Sequence, residues 1–119
     1  MNEKKDIVIV YSGPVMGLNE MKAKAWYASK AKVDRLKMEL LILCKNTKLP
    51  YMEAIELSIF YNSRHDVDNI APMSKFFVDT IVNIGKLPND TKKYFKKVSY
   101  QYDPVLPVNT IVYKIKILK

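Results

Sequence analysis

The sequence predicts an α/β (α+β) fold, in which two main helices cover a mixed β-sheet in the order β-α-β-α-β-β. Three observations predict it. Short β-branched runs alternate apolar and polar residues, two longer segments repeat apolar residues every three or four positions, and turn residues separate these segments. The 119 residues suffice for a single domain, 1–119, with one modest core.

The first half of the chain contains a strand and a long helix. The strand covers residues 7–11 and ends in the turn Ser12-Gly13-Pro14. Residues 15–28 predict a loop with one helical turn. Ser29 is a suitable N-cap for the helix, which must stop before Pro50. Its apolar stripe consists of Val33, Leu36, Leu40, Leu43 and Cys44.

The second half begins with a strand over residues 52–61 and a polar stretch, 62–69. A second helix follows from about Ile70 to Ile84, with Pro72 in its first turn and Gly85 where a C-terminal cap is expected. Two strands complete the predicted sheet. Apolar and aromatic residues alternate at Val98, Tyr100 and Tyr102 in one strand, and at Ile111, Tyr113, Ile115 and Ile117 in the other.

The charge balance favours a polyanionic partner such as nucleic acid, because 20 basic residues against 12 acidic ones give a net charge of +8. The alternative is a lysine-rich surface that only keeps the protein soluble. Cys44 is the single cysteine, which excludes an intramolecular disulfide and suits a reducing cytoplasm. We find no membrane-spanning run, no secretory signal and no clustered glycines of a phosphate loop or small-molecule cofactor site.

The most informative motif is Asp66-Val67-Asp68-Asn69. Two aspartates two positions apart point to the same side of an extended chain, and paired carboxylates suit a hard divalent cation such as Mg²⁺. The alternative is that Asp68 or Asn69 merely caps the second helix. Asp79 lies about three helical turns farther on, so we do not expect it to bind the same metal. It is spaced for an ion pair with Lys75.

The stretch from Asp66 to Asp90 resembles the signature of the RusA family of Holliday junction resolvases. That signature is Asp-x-Asp-Asn leading into a helix, an aspartate within the helix, and a third aspartate in the turn before the next strand. Asp79 and Asp90 occupy the last two positions. The likeness covers most of the chain, because the opening strand, Gly13-Pro14 and Asn19 look like the family's amino-terminal strand and loop.

The resemblance implies that Asp66, Asp68 and Asp90 bind Mg²⁺, with Mn²⁺ as a substitute, and serve catalysis. Lys75 matches the family's catalytic lysine if about three extra residues follow Asn69; without that gap Pro72 takes its place. The implied activity is a metal-dependent endodeoxyribonuclease that resolves Holliday junctions by paired symmetric cuts in DNA recombination and repair. The implied state is a homodimer in the cytoplasm of a bacterial or phage-infected cell.

The chain also contains candidate DNA contacts. Four lysines surround Tyr94 and Phe95, namely Lys92, Lys93, Lys96 and Lys97. Lysines interleaved with aromatic rings are typical of single-strand binding, although the rings could equally be core and the lysines a solvated face. Arg64 and Asn69 complete the candidates, and Asn69 is also expected to hold the metal loop. Two further functions stay open: a non-catalytic branched-DNA-binding protein, and a nuclease for flaps or other branched DNA.

Overall fold

The computed structural model describes residues 6–22 and 30–119. The strands are β1 (Asp6–Ser12), β2 (Ile55–Asn62), β3 (Phe95–Tyr102) and β4 (Thr110–Ile117). The helices are α1 (Leu18–Met21), α2 (Lys30–Asn46) and α3 (Pro72–Asn83), and a short 3₁₀ turn covers Val67–Asn69. The predicted α+β class and the order of the main elements are confirmed. The predicted N-cap Ser29 lies outside the described residues.

The four strands form one mixed sheet in the order β1-β4-β2-β3. Strand β4 is antiparallel to both of its neighbours, whereas β2 and β3 are parallel. Parallel neighbours cannot be joined by a tight turn, so the chain must cross over between them, and α3 forms this crossover. Strand β2 is central in the sheet, and its residues alternate between buried and half-buried along its whole length.

Element boundaries differ from the predicted ones where the backbone has particular partners. Strand β3 starts at Phe95 rather than Val98, because its pairing with β2 includes a register shift between Ile55 and Glu56. Helix α3 starts at Pro72 rather than Ile70, since Ile70 caps the 3₁₀ turn Val67–Asn69 and Ala71 is the N-cap of the helix. Gly85 has φ +78°, the left-handed conformation expected just after a helix.

One hydrophobic core joins the helices to one face of the sheet. Leu36, Leu40 and Cys44 of α2 are buried in it, together with Phe77 of α3. The Phe77 ring stacks on the ring of Tyr113 in β4, with 4.0 Å between centroids and 8° between planes. The opposite sheet face is more open, because Val8 and Val10 are both more than half exposed. No helix in the described ranges is long and apolar enough to cross a membrane.

Truncating Phe77 to alanine is expected to lower the free energy of unfolding by about 3–5 kcal/mol, because it leaves a cavity against the Tyr113 ring. Val105→Ala is the matched control: Val105 is 88 % exposed, so the change should stay within about 0.5 kcal/mol. Urea unfolding followed by far-ultraviolet circular dichroism measures both. Equal midpoints for the two variants would contradict this account of the core.

Candidate metal and nucleic-acid site

Asp66 and Asp68 lie in the loop that follows β2. Asp66 directly precedes the 3₁₀ turn with extended backbone, and Asp68 lies within that turn. Both residues are exposed. The helix-capping alternative is wrong, since the N-cap of α3 is Ala71 and no side chain caps it. Neither carboxylate is used in a hydrogen bond or ion pair with residues 6–22 or 30–119, so both face solvent.

The negative charges of Asp66 and Asp68 both affect the pKa of the Tyr61 phenol. Its hydroxyl donates a 2.9 Å hydrogen bond to the backbone oxygen of His65. Burial raises the pKa of Tyr61, and the negative charges of Asp66 and Asp68 raise it further. The loop that carries both aspartates follows the carboxyl end of β2.

A buried network that the sequence did not reveal lies behind this loop. His65 is 7 % exposed, and its Nε2 lies 2.7 Å from Oε1 of Glu20 in α1. An ionised carboxylate only accepts hydrogen bonds, so Nε2 carries the proton and donates. The other ring nitrogen, Nδ1, lies 2.8 Å from Ser63 Oγ. His65 therefore has a structural role in this loop, because both of its ring nitrogens have partners.

Glu20 is held ionised by its neighbours. Burial raises the pKa of its carboxyl, but hydrogen bonds from His65, Lys32 and the Gly17 amide outweigh that effect and lower the pKa to about 2. The Lys32 ammonium lies 2.9 Å from Oε2, and the Arg64 guanidinium lies 3.6 Å from Oε1. Arg64, a candidate DNA contact, is still largely exposed and reaches solvent beyond this pair.

Asn69 is a structural residue of the same loop. Its Oδ1 accepts a 2.8 Å hydrogen bond from the backbone amide of Asn19. Gly17 lies against both Asn69 and His65, because a Cβ at Gly17 would stand 2.7 Å from Asn69 Nδ2 and 2.3 Å from His65 Cδ2. The expectation that Asn69 holds the loop therefore has a physical basis, whereas its proposed DNA contact stays a prediction.

Lys75, on α3, lies close to Asp90 in the turn that follows the helix. The Lys75 ammonium lies 3.7 Å from Asp79 Oδ1, the pair predicted from the spacing, and 3.8 Å from Asp90 Oδ2. The turn after α3 thus folds back along the helix. Within the described ranges, however, no three His, Cys, Asp or Glu side chains are close enough to hold one metal ion. Asp90 contacts Lys75 here instead of completing a three-carboxylate centre with Asp66 and Asp68.

The four lysines of the candidate DNA track, Lys92, Lys93, Lys96 and Lys97, are all exposed. Tyr94 and Phe95 are half-buried and pack against the core. Tyr94 also borders a surface groove of about 640 Å³ with Lys93, Lys96 and Tyr51, which is 60 % exposed. Stacking on bases therefore stays a prediction for Tyr94. The sequence did not indicate Tyr51, because it lies far from the lysines in the chain.

Neither the known protein-family models nor the curated proteins contain a match to this chain. The RusA-like identity therefore stays a prediction that depends on the residue pattern from Asp66 to Asp90.

The stability that Glu20 contributes is expected to disappear in acid. Its pKa in the folded protein, about 2, is below the ordinary value of 4.5, so the unfolded chain binds the proton more readily. The contribution is complete above about pH 5 and falls as the pH approaches 2. Glu20→Gln should therefore be less stable than the wild type at pH 7, with a difference that shrinks towards pH 3 in urea unfolding. A difference that grows in acid would contradict this assignment.

Proposed function

We propose that this protein is a Mg²⁺-dependent, structure-specific endodeoxyribonuclease that resolves four-way DNA junctions. The observation that supports it is a pair of exposed carboxylates, Asp66 and Asp68, in a chain of net charge +8. Hydrogen bonds of His65 and Asn69 hold the loop that carries them. A protein that only bound DNA would gain nothing from two carboxylates directed at phosphates. Carboxylates that hold a cation explain why a basic protein keeps them.

The donor chemistry of Asp66 and Asp68 fits Mg²⁺, which is usually bound through one or two carboxylates while its other positions stay hydrated. Asp90 is the proposed third carboxylate. Its contact with Lys75, at 3.8 Å between two partly exposed groups, is a weak surface ion pair. A DNA phosphate can compete for the Lys75 ammonium, and Asp90 would then be released from it.

The chain's own groups have defined parts in the proposed chemistry. A cation held by the aspartates would supply an activated water and withdraw charge from the scissile phosphate. Lys75 stabilises negative charge that develops on the phosphate oxygens. One of the carboxylates of Asp66, Asp68 and Asp90 would accept the proton of the attacking water. The exposed lysines attract DNA by neutralising phosphates and releasing counterions.

Resolution of a four-way junction requires two cuts. A four-way junction has two-fold symmetry, and a C2 homodimer offers two identical sites for paired symmetric incisions. The proposed partners are therefore branched DNA and a second copy of the chain. The proposed location is the cytoplasm of a bacterial or phage-infected cell, in DNA recombination and repair.

A non-catalytic branched-DNA-binding protein is the second candidate. One observation favours it: residues 6–22 and 30–119 contain no three-acid group that could hold a metal ion. In that case Asp66 and Asp68 would be surface residues, and DNA binding would depend on the lysines alone.

Cleavage of a labelled synthetic four-way junction with Mg²⁺ or Mn²⁺ separates these functions. We expect symmetric nicks by the wild type, none in EDTA, and at least a 100-fold slower reaction for Asp68→Asn with unchanged junction binding, because the variant loses a metal ligand. Asp6→Asn is the control, since Asp6 is an acid of β1 that pairs with Lys114 away from the loop of Asp66 and Asp68.

Each outcome identifies one function. Cleavage of a flap but not of the junction would indicate the nuclease for other branched DNA. Tight binding without cleavage of any substrate, by both wild type and Asp68→Asn, would leave the non-catalytic binding protein. Equal rates in EDTA and in Mg²⁺ would contradict metal dependence.

Replacing Lys93 and Lys96 together by alanine is expected to weaken junction binding in EDTA and to reduce its salt dependence. Each lost phosphate contact lowers the slope of log affinity against log salt by about 0.9, so the double variant should lose about 1.8. Fluorescence anisotropy at several salt concentrations measures the slope. Lys45→Ala is the control, because Lys45 is an exposed lysine in the last turn of α2, outside the candidate DNA track. An unchanged slope for the double variant would exclude these lysines from the DNA track.

A further inference from the structure

Glu20 is the meeting point of four polar groups. Its Oε1 accepts hydrogen bonds from the Gly17 amide, at 3.0 Å, and from His65 Nε2, at 2.7 Å. Its Oε2 accepts one from Lys32 at 2.9 Å, and the Arg64 guanidinium stands 3.6 Å from Oε1. Cations therefore already balance the charge of Glu20, which makes it unsuitable as a metal ligand.

Through His65, the contacts of Glu20 also restrain the backbone of the loop that carries Asp66 and Asp68. Both ring nitrogens have partners, Glu20 and Ser63, and the backbone oxygen accepts the Tyr61 hydroxyl. That oxygen belongs to the planar peptide unit that also contains the Asp66 nitrogen. Because this oxygen is held, the orientation of the peptide plane that leads into Asp66 is held as well.

The far side of the loop is held as well. Asn69, the residue directly after Asp68, accepts the Asn19 amide. Gly17 leaves no space for a side chain against His65 or Asn69. The turn formed by residues 17–20 thus contacts the loop at the residue before Asp66 and at the residue after Asp68. Both aspartates lie between these attachment points, and both are exposed.

We propose that Glu20 is a positioning residue, which acts through His65 to hold Asp66 and Asp68 in the geometry that binds a divalent cation. Two neighbouring carboxylates repel each other, and an unbraced loop would have to be ordered when the cation binds. A loop ordered in advance lowers that cost, and groups behind metal ligands commonly change metal affinity by 10- to 100-fold. The inference depends on the proposed function, because it requires the cation site.

The test is Mn²⁺ binding to the full chain without DNA, followed by electron paramagnetic resonance of free Mn²⁺. Glu20→Ala should raise the Mn²⁺ dissociation constant about 10-fold or more. Glu20→Gln keeps an oxygen acceptor for His65 and should recover most of the affinity. Gly17→Ala should weaken Mn²⁺ binding without any change of charge, because its Cβ would displace His65. Asp6→Asn is the matched control, since Asp6 pairs with Lys114 away from the loop.

Kinetics separate positioning from a purely structural role. For Glu20→Ala, the Mn²⁺ concentration that gives half-maximal cleavage should rise with the dissociation constant. The KM for the junction should not rise, and the binding of junction in EDTA should not weaken, because Glu20→Ala removes a negative charge beside the candidate DNA contact Arg64. If Glu20→Ala does not fold, Gly17→Ala carries the test, because it is also expected to weaken Mn²⁺ binding, with circular dichroism to confirm its fold.

The failure of this inference differs from the failure of the proposed function. Wild-type Mn²⁺ affinity in folded Glu20→Ala and Gly17→Ala, with binding lost in Asp68→Asn, would overturn the positioning role and keep the metal site. Equal Mn²⁺ affinity in the wild type and in Asp68→Asn would overturn both.

Discussion

The arrangement of the candidate site depends on the parallel pairing of β2 and β3. Parallel neighbours require a crossover, so the chain leaves β2 at one end of the sheet and enters β3 at the other. Asp66 and Asp68 follow β2, whereas Asp90 precedes β3, and the 12 residues of α3 lie between them. A helix of that length spans about 18 Å, which the turn after α3 must recover before the three acids can meet. It does so in part, because Asp90 reaches Lys75 near the start of the helix.

The elements could be predicted from the sequence because their signals are local. Alternation in Ile111, Tyr113 and Ile115 identifies a strand whichever neighbours it has, and the apolar stripe of α2 identifies a buried helix face. The order of strands could not be predicted in this way, since alternation does not say that β4 lies between β1 and β2. The start of β3 was missed because the register shift against β2 depends on the partner strand.

The candidate site was predictable to the same extent. The Lys75–Asp79 ion pair is set by a spacing of four residues, which a helix converts directly into geometry. The expected same-side placement of Asp66 and Asp68 depended on an extended chain, whereas Asp68 lies in the 3₁₀ turn Val67–Asn69. The contact of Glu20 with His65 joins residues 45 positions apart, and no periodicity encodes it. The one available signal was chemical. A single histidine beside two acids, if buried, needs partners for its ring nitrogens, but the sequence does not say which side chains they are.

The acids of this basic protein lie in two different environments. Glu20 is surrounded by Lys32, Arg64 and His65, and its low pKa keeps it ionised as part of the loop's support. Asp66 and Asp68 are instead exposed, in a chain of net charge +8. Leaving two carboxylates unneutralised near a polyanion costs binding energy unless a cation joins them. The same charges that would weaken a simple DNA-binding surface are the ones that a metal-dependent nuclease requires, and the bracing of their loop from both sides is consistent with that requirement.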